Sequence, residues 1–124
     1  ERLASTYWPG PLTLVVPAHT ALGDQCKAAD GSVAVRVPDQ SFTREVISEV
    51  GHPVTATSAN VSGDTAISRI EDLTQEIRDG VDLIIDVGKL VGGVHSTIVD
   101  VRYATPKLIR DGAVPWNRVL ESLQ

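Results

Sequence analysis

Residues 55–63 read TATSANVSG, and none of these nine side chains is charged or larger than Val or Asn. Residues 54–57 are typical of a short strand, which would deliver the following serine and asparagine to the edge of a sheet. Ser58 brings a hydroxyl and Asn60 an amide, and the small neighbouring side chains would let a ligand approach the backbone. A polar turn with Asn60 in a left-handed conformation is an equally good interpretation of this stretch alone.

Short apolar runs on both sides of this stretch predict the other strands. Together with residues 54–57, the predicted strands are residues 12–16, 32–37, 81–87, 96–101 and 107–110. Helical periodicity predicts helices over residues 41–50, 70–79 and 115–123, with Ser41 as the cap of the first. The first six residues read like the end of a further helix. Strands and helices in this order predict an α/β fold, a twisted sheet of mixed strand directions with helices packed on it.

The apolar positions of these elements predict the core. The sheet residues expected to be buried are Leu14, Val35, Val54, Ile84, Ile98 and Val99. The first two predicted helices should lie on the sheet through Val46, Ile47, Leu73 and Ile77. On this basis, Ile84→Ala should lower the free energy of unfolding by about 2–5 kcal/mol.

Composition excludes several classes of protein. The chain has 124 residues and a net charge of −5, so it offers no overall basic field for nucleic acid or an anionic membrane. Aromatic residues make up only 4%, which argues against a stacking surface for single-stranded RNA. The one cysteine, Cys26, cannot form a disulfide within the chain, which favours a reducing, cytoplasmic setting. No apolar run approaches the roughly 18 residues of a membrane span.

Polar groups stand at the ends of the apolar strands, where ligands of open α/β sheets gather. They are Arg36, Ser58 with Asn60, Ser96 with Thr97, and Arg110. Two arginines near hydroxyls and an amide suit an anionic ligand such as a phosphate or a carboxylate, which the planar guanidinium binds through two hydrogen bonds. A surface ion pair is the simpler interpretation of either arginine alone, and ordinary strand polarity explains Ser96.

The sequence gives little support for a metal site, a catalytic cysteine or a P-loop. The three histidines have no metal-ligand spacing, so no metal site is expected. Cys26 has no base beside it, and no catalytic nucleophile is assigned. The glycine-rich residues 88–93 lack the G-x-x-x-x-G-K-[ST] pattern of a P-loop.

Five short motifs in order carry a family resemblance. They are residues 8–15 (WPGPLTLV), 33–39 (VAVRVPD), 58–63 (SANVSG), 96–100 (STIVD) and 109–114 (IRDGAV). Each motif is weak alone, but together they span nearly the whole chain and resemble the YrdC-like threonylcarbamoyl-adenylate synthase family. Asp111 departs from the pattern, since the family often has Pro at this position.

The resemblance implies synthesis of threonylcarbamoyl-adenylate from L-threonine, bicarbonate and ATP, with release of pyrophosphate. The product would serve the threonylcarbamoyladenosine modification of tRNA, with tRNA-modification proteins as candidate partners. By motif position, the threonine-binding residues would be Arg36, Ser58 and Ser96, and the ATP-binding residues Ser32, Asn60, Ser68 and Arg110. ATP is then a substrate, and Mg²⁺ would shield its phosphates. Catalysis would rest on positioning and charge neutralisation rather than on a covalent intermediate.

The resemblance also implies that residues 1–124 are the C-terminal part of a single YrdC-like domain whose N-terminal half is absent. That half carries the family's Pro-Thr-Asp/Glu-Thr-x-Tyr-Gly-Leu strand and a Lys/Arg pair for the nucleotide. We therefore expect the isolated chain to be inactive and to self-associate.

Two other functions stay open at this stage. One is a non-catalytic RNA-binding module of the same fold, acting on tRNA or rRNA, which salt-dependent RNA binding without threonine-dependent ATP turnover would favour. The other is a related enzyme that transfers carbamoyl groups during assembly of a metal cofactor.

Overall fold

A computed structural model describes residues 1–60, 67–90 and 94–124. The chain forms two compact units: the sheet unit, Glu1–Val54 with Val94–Gln124, and the second unit, Thr55–Gly93. The elements of the sheet unit are α1 (Arg2–Tyr7), β1 (Leu12–Pro17), β2 (Ser32–Val35), α2 (Ser41–Val50), β3 (Thr97–Asp100), β4 (Lys107–Arg110) and α4 (Trp116–Glu121). The second unit contains α3 (Gln75–Asp79), and single 3-10 turns lie at Asp24–Cys26 and Ile70–Asp72. Among the described residues, no helix is long and apolar enough to cross a membrane.

The sheet has four strands in the order β2-β1-β3-β4. β1 pairs with β2 antiparallel and with β3 parallel, and β4 pairs with β3 antiparallel. The register shifts between Ile98 and Val99, where β3 meets β4. The predicted mixed sheet with helices is therefore confirmed.

One face of this sheet carries the core. Leu12, Leu14 and Val99 are buried there and pack with Leu3 of α1 and Val119 of α4. The burial alternates along β1 because successive side chains of a strand point to opposite faces. Thr97 is also fully buried on this face, and its hydroxyl is satisfied because it donates to Val114 O (2.6 Å) and accepts from Val114 N (3.0 Å).

The other face of the sheet, which we call the second face, carries polar side chains. Cross-strand register pairs Thr13 with Ile98 and Ile98 with Arg110, so these three side chains share the second face. Ser96 lies two residues before Ile98 and therefore projects to the same side. Arg36 follows Val35, the partner of the buried Leu14, so the alternation places it on the second face as well.

Two predicted strands are absent from the structure. Residues 54–57 and 81–87 have no regular secondary structure. Val54 and Ile84, expected in the core, are 44% and 38% exposed. Both runs have the apolar composition of strands, but a strand forms only where a neighbouring strand takes up its backbone hydrogen bonds. Leu14 and Val99 are buried as predicted, whereas Val35 and Ile98 are half-buried.

The helices follow the sequence with three corrections. α2 matches its predicted bounds, but its N-cap is Gln40, whose side chain accepts from Thr43 N (2.6 Å), rather than Ser41. The expected helix at 70–79 is a 3-10 turn followed by α3, because Thr74 caps a new helix by accepting from Ile77 N. α2 buries none of its residues, and Val46 is 38% exposed, so its apolar face is not packed as predicted.

The remaining predicted contact residues are half-buried. They are Ile47, Leu73 and Ile77.

Candidate functional site

Ser96 and Arg110 form a hydrogen-bonded pair on the second face. Arg110 Nε and Nη2 donate to Ser96 O at 3.1 and 2.8 Å, and Nη2 also donates to Ser96 Oγ at 3.0 Å. Ser96 directly precedes β3 and Arg110 ends β4, so antiparallel pairing brings the two residues together. The structure thus joins two residues that the sequence assigned to one site.

Thr13 is a member of this group that the sequence analysis missed. Its Oγ1 lies 2.9 Å from Ser96 Oγ, which links β1 to the Ser96–Arg110 pair. A usable signal was present, since Thr13 is a polar residue between Leu12 and Leu14 in an otherwise apolar strand. Thr13, Ser96 and Arg110 are called the hydroxyl–arginine network below.

Gly112 allows the chain after β4 to pass close to Ser96. A Cβ atom at this position would lie 2.3 Å from His95 O and 2.6 Å from Thr97 N, which no side chain tolerates. The next residue, Ala113, donates its N–H to His95 O at 2.9 Å. The Asp-Gly turn therefore fixes the end of β4 against the start of β3.

Arg36 also lies on the second face, directly after β2. Its side chain is exposed, and within the described residues it forms no ion pair. The backbone beside it is anchored, because Gly10 N donates to Val37 O at 2.9 Å. Arg36 thus places an exposed guanidinium on the second face.

Ser32 lies at the opposite end of β2 from Arg36. Along a strand, the four residue steps from Ser32 to Arg36 span roughly 13 Å. Ser32 is buried, and its hydroxyl donates to Asp30 Oδ1 at 2.6 Å. It therefore does not join the hydroxyl–arginine network, and only a ligand as long as a nucleotide could reach both places.

Asp30 belongs to an ion-pair cluster at that end of the sheet. Arg102 donates to Asp30 Oδ2 (2.8 Å) and to Asp100 Oδ2 (2.7 Å). Hydrogen bonds from Ser32 and then Arg102 lower the pKa of Asp30 from 3.8 to about 2. The Arg102 hydrogen bonds also lower the pKa of Asp100, and these two carboxylates raise the pKa of Arg102. Every charge in the cluster is paired, so its role in the structure is to tie the loop before β2 to the end of β3.

The remaining predicted site residues belong to the second unit. Ser58 is exposed, and Asn60 and Ser68 are half-buried. Ser68 O accepts from Leu90 N at 2.9 Å, which joins the two ends of the segment 67–90. The rest of the SANVSG motif, residues 61–63, lies outside the described residues, as do residues 91–93 of the glycine-rich loop.

A shallow cleft within the second unit combines charges of both signs. Its lining includes Arg69, Glu71, Asp86 and Lys89. Gly88, with φ of 80°, takes the left-handed conformation that lets its N–H donate to Asp86 Oδ1 at 2.8 Å.

In the parts of the chain that the structure describes, no cluster of three or more His, Cys, Asp or Glu residues could hold a metal ion.

Comparison with known proteins identifies the family. Residues 1–112 match the sequence model of the Sua5/yciO/yrdC family, which is described as telomere recombination. The chain belongs to this family. The resemblance inferred from the five motifs is thereby confirmed.

Similar proteins from other organisms carry closely matching names. The chain is 33% identical over 119 residues to threonylcarbamoyl-AMP synthase of Pyrococcus abyssi, covering 96% of this chain and 35% of the relative. It is 36% identical over 123 residues to putative threonylcarbamoyl-AMP synthase of Mycobacterium leprae, covering 99% and 56%. The chain thus spans between about a third and somewhat over half of the length of these relatives.

Solved structures of other proteins share the fold of this chain. A crystal structure of P. abyssi Sua5 complexed with L-threonine matches with a TM-score of 0.89 and 31% identity, covering 98% of this chain and 36% of that one. E. coli YciO matches with a TM-score of 0.71 at 23% identity, covering 90% and 55%, and supports the fold alone. The mixed sheet and its helices are therefore those of the Sua5/yciO/yrdC fold.

Proposed function

We propose that this chain is part of a threonylcarbamoyl-AMP synthase and carries its threonine-binding side. The observation that carries the proposal is the hydroxyl–arginine network on the second face, with Arg36 on the same face. The names of the relatives and the L-threonine complex of P. abyssi Sua5 support the substrate.

Arg36 and Ser96 of the sheet unit would form the threonine side of the proposed site, and the SANVSG motif predicts Ser58 as a further threonine-binding residue. A guanidinium with no ion pair among the described residues is a suitable partner for a carboxylate, which it binds through two parallel hydrogen bonds. Serine hydroxyls donate or accept as the carboxylate, ammonium or hydroxyl of an amino acid requires.

The nucleotide side would use Arg110, Asn60 and Ser68, with Ser32 as a further predicted residue. Arg110 is held by Ser96 through Nε and Nη2, which leaves Nη1 for an anion in the part of the chain that is described. Mg²⁺, where present, would offset phosphate charge. For Ser32, burial and the hydrogen bond to Asp30 argue against direct contact in this conformation.

The proposed reaction needs no nucleophile from the protein. The amine of threonine, after losing a proton, forms a C–N bond with bicarbonate-derived carbon and releases water as a carbamate forms. A carbamate oxygen then attacks the α-phosphorus of ATP, and the bond to the β-phosphate oxygen breaks to release pyrophosphate. The protein has to hold three substrates in line and neutralise their charge, and arginines and hydroxyls do both. The adenylate would then supply the threonylcarbamoyl group for tRNA.

Threonine binding by the chain tests this proposal directly. We expect calorimetry to detect L-threonine binding, and Arg36→Gln to weaken it by at least about tenfold, since hydrogen bonds to a charged group contribute about 1.5–3 kcal/mol. Arg2→Gln is a matched control, because Arg2 is exposed on α1, away from the second face. Absence of L-threonine binding, or equal losses in both variants, would reject the proposal.

A further inference from the structure

Thr13 is linked to the proposed threonine site through Ser96. Its Oγ1 lies 2.9 Å from Ser96 Oγ, and within the described residues this is the one hydrogen bond of its side chain. The contact joins residues 83 positions apart in the chain, and it forms because β1 and β3 run parallel with Thr13 opposite Ile98. The two hydroxyls are therefore aligned by the sheet and not by a flexible loop.

The hydrogen bonds of Ser96 Oγ limit what it can offer a ligand. A serine hydroxyl has one proton to donate and two lone pairs. Arg110 is only a donor, so its Nη2 occupies one lone pair. Thr13 must then take either the second lone pair, by donating, or the Ser96 proton, by accepting.

The charge of Arg110 determines which direction of the Thr13–Ser96 hydrogen bond suits a ligand. A guanidinium 3.0 Å from Ser96 Oγ repels an ammonium group and attracts a carboxylate. A carboxylate oxygen only accepts hydrogen bonds, so Ser96 must direct its proton outward to meet it. That requires Thr13 to donate to Ser96, which gives a relay from the Thr13 hydroxyl through the Ser96 hydroxyl to the anion, each bond strengthening the next.

We infer that Thr13 is a positioning residue that directs the Ser96 hydroxyl proton towards the carboxylate of the bound amino acid, an inference that rests on the proposed function. Thr13 does not touch the substrate. It sets the donor direction of the residue that does, and so favours an anionic group at Ser96.

Removing the Thr13 hydroxyl at nearly constant shape tests this role. Thr13→Val should weaken L-threonine binding by about 3- to 10-fold, the usual net effect of one hydrogen bond. Thr13→Ser, which keeps the hydroxyl, should bind like the parent chain. Binding of L-threoninol, which lacks the carboxylate, should not change in Thr13→Val. Thr13→Ala replaces Thr13→Val if the latter does not fold, as judged by circular dichroism.

A double-variant comparison separates positioning from a structural effect. In a Ser96→Ala chain, adding Thr13→Val should cause no further loss of L-threonine affinity, because the relay is already broken. A full additional loss, or an equal loss for L-threoninol, would overturn the inference. Unchanged L-threonine binding in Thr13→Val would overturn this inference alone, whereas no binding by the parent chain would reject the proposed function and this inference with it.

Discussion

The Ser96 hydroxyl lies where β1, β3 and β4 contribute side chains to one hydrogen-bond network. Thr13 approaches from β1 and Arg110 from β4, and each contact depends on register rather than on neighbouring sequence. A network built from three strands is rigid because moving any member requires moving a strand. This is the property needed in a site that works by orienting substrates.

Asp30 belongs to the ion-pair cluster with Arg102 and Asp100, in which charge stabilises the fold. Its pKa falls from 3.8 to about 2 because Ser32 and Arg102 hydrogen-bond its ionised form. A depressed pKa contributes stability that is present above pH 3.8 and is lost as the pH falls towards about 2. The low-pH limb of the stability profile should therefore report on this cluster.

We predict that Asp30→Asn makes the free energy of unfolding less dependent on pH between about 4 and 2 than in the parent chain. The measurement is urea unfolding at a series of pH values. Asp39→Asn, which changes a carboxylate outside the cluster, should retain the slope of the parent. An unchanged slope in Asp30→Asn would show that the cluster does not stabilise the folded chain in this range.

At the scale of elements, the strands that formed contain buried apolar residues, whereas the predicted strands that did not form expose theirs. β1 and β3 place Leu12 and Val99 at zero exposure against the helices. Residues 81–87 have no strand partner among the residues that the structure describes, and they expose their apolar side chains. Ile84 is 38% exposed, so the large effect expected from the sequence for its truncation no longer follows.

We predict that Leu12→Ala lowers the free energy of unfolding by about 2–5 kcal/mol, because it leaves a cavity in the core. Ile84→Ala should cost less than about 1 kcal/mol, as is usual for partly exposed positions. Leu83→Ala, at a side chain 74% exposed, is the matched leucine control and should be close to neutral. Denaturant unfolding provides the comparison, and a loss at Ile84 as large as that at Leu12 would mean that residues 81–87 are packed.

At the scale of the whole molecule, the chain exposes a run of large apolar side chains in its second unit. They are Val81, Leu83, Ile84, Ile85, Val87 and Leu90. Large apolar side chains exposed in this number favour association. The cations available for ATP on the second face are few, since Arg36 would also bind the threonine carboxylate and Arg110 already donates to Ser96.

We predict that the isolated chain self-associates and makes no threonylcarbamoyl-adenylate at a useful rate. A sizing column should show oligomers, and assays with ATP, bicarbonate and L-threonine should show no threonine-dependent pyrophosphate release. Leu83→Lys should shift the chain towards monomer, whereas Thr105→Lys, an equal charge change at an exposed turn in the sheet unit, should not. Robust threonine-dependent release from a monomer would contradict this prediction.

Local patterns were sufficient to predict much of this protein. Short apolar runs located β1 and β4, and helical periodicity with a terminal glycine located α2, since these signals act within a few residues. Five motifs in order were sufficient to predict the family, because a motif depends on residue types and not on contacts between distant residues. Ser96 and Arg110 could be assigned to one site since both lie at strand ends.

Contacts between distant segments were decided only by the tertiary structure. Thr13 joined Ser96 across 83 residues through the parallel pairing of β1 and β3, which no local pattern specifies. The same dependence on partners explains the errors: residues 54–57 and 81–87 have strand composition, but in the described structure no neighbouring strand accepts their backbone groups. A strand is stable only as part of a sheet, so its sequence states a preference that long-range pairing either realises or overrides.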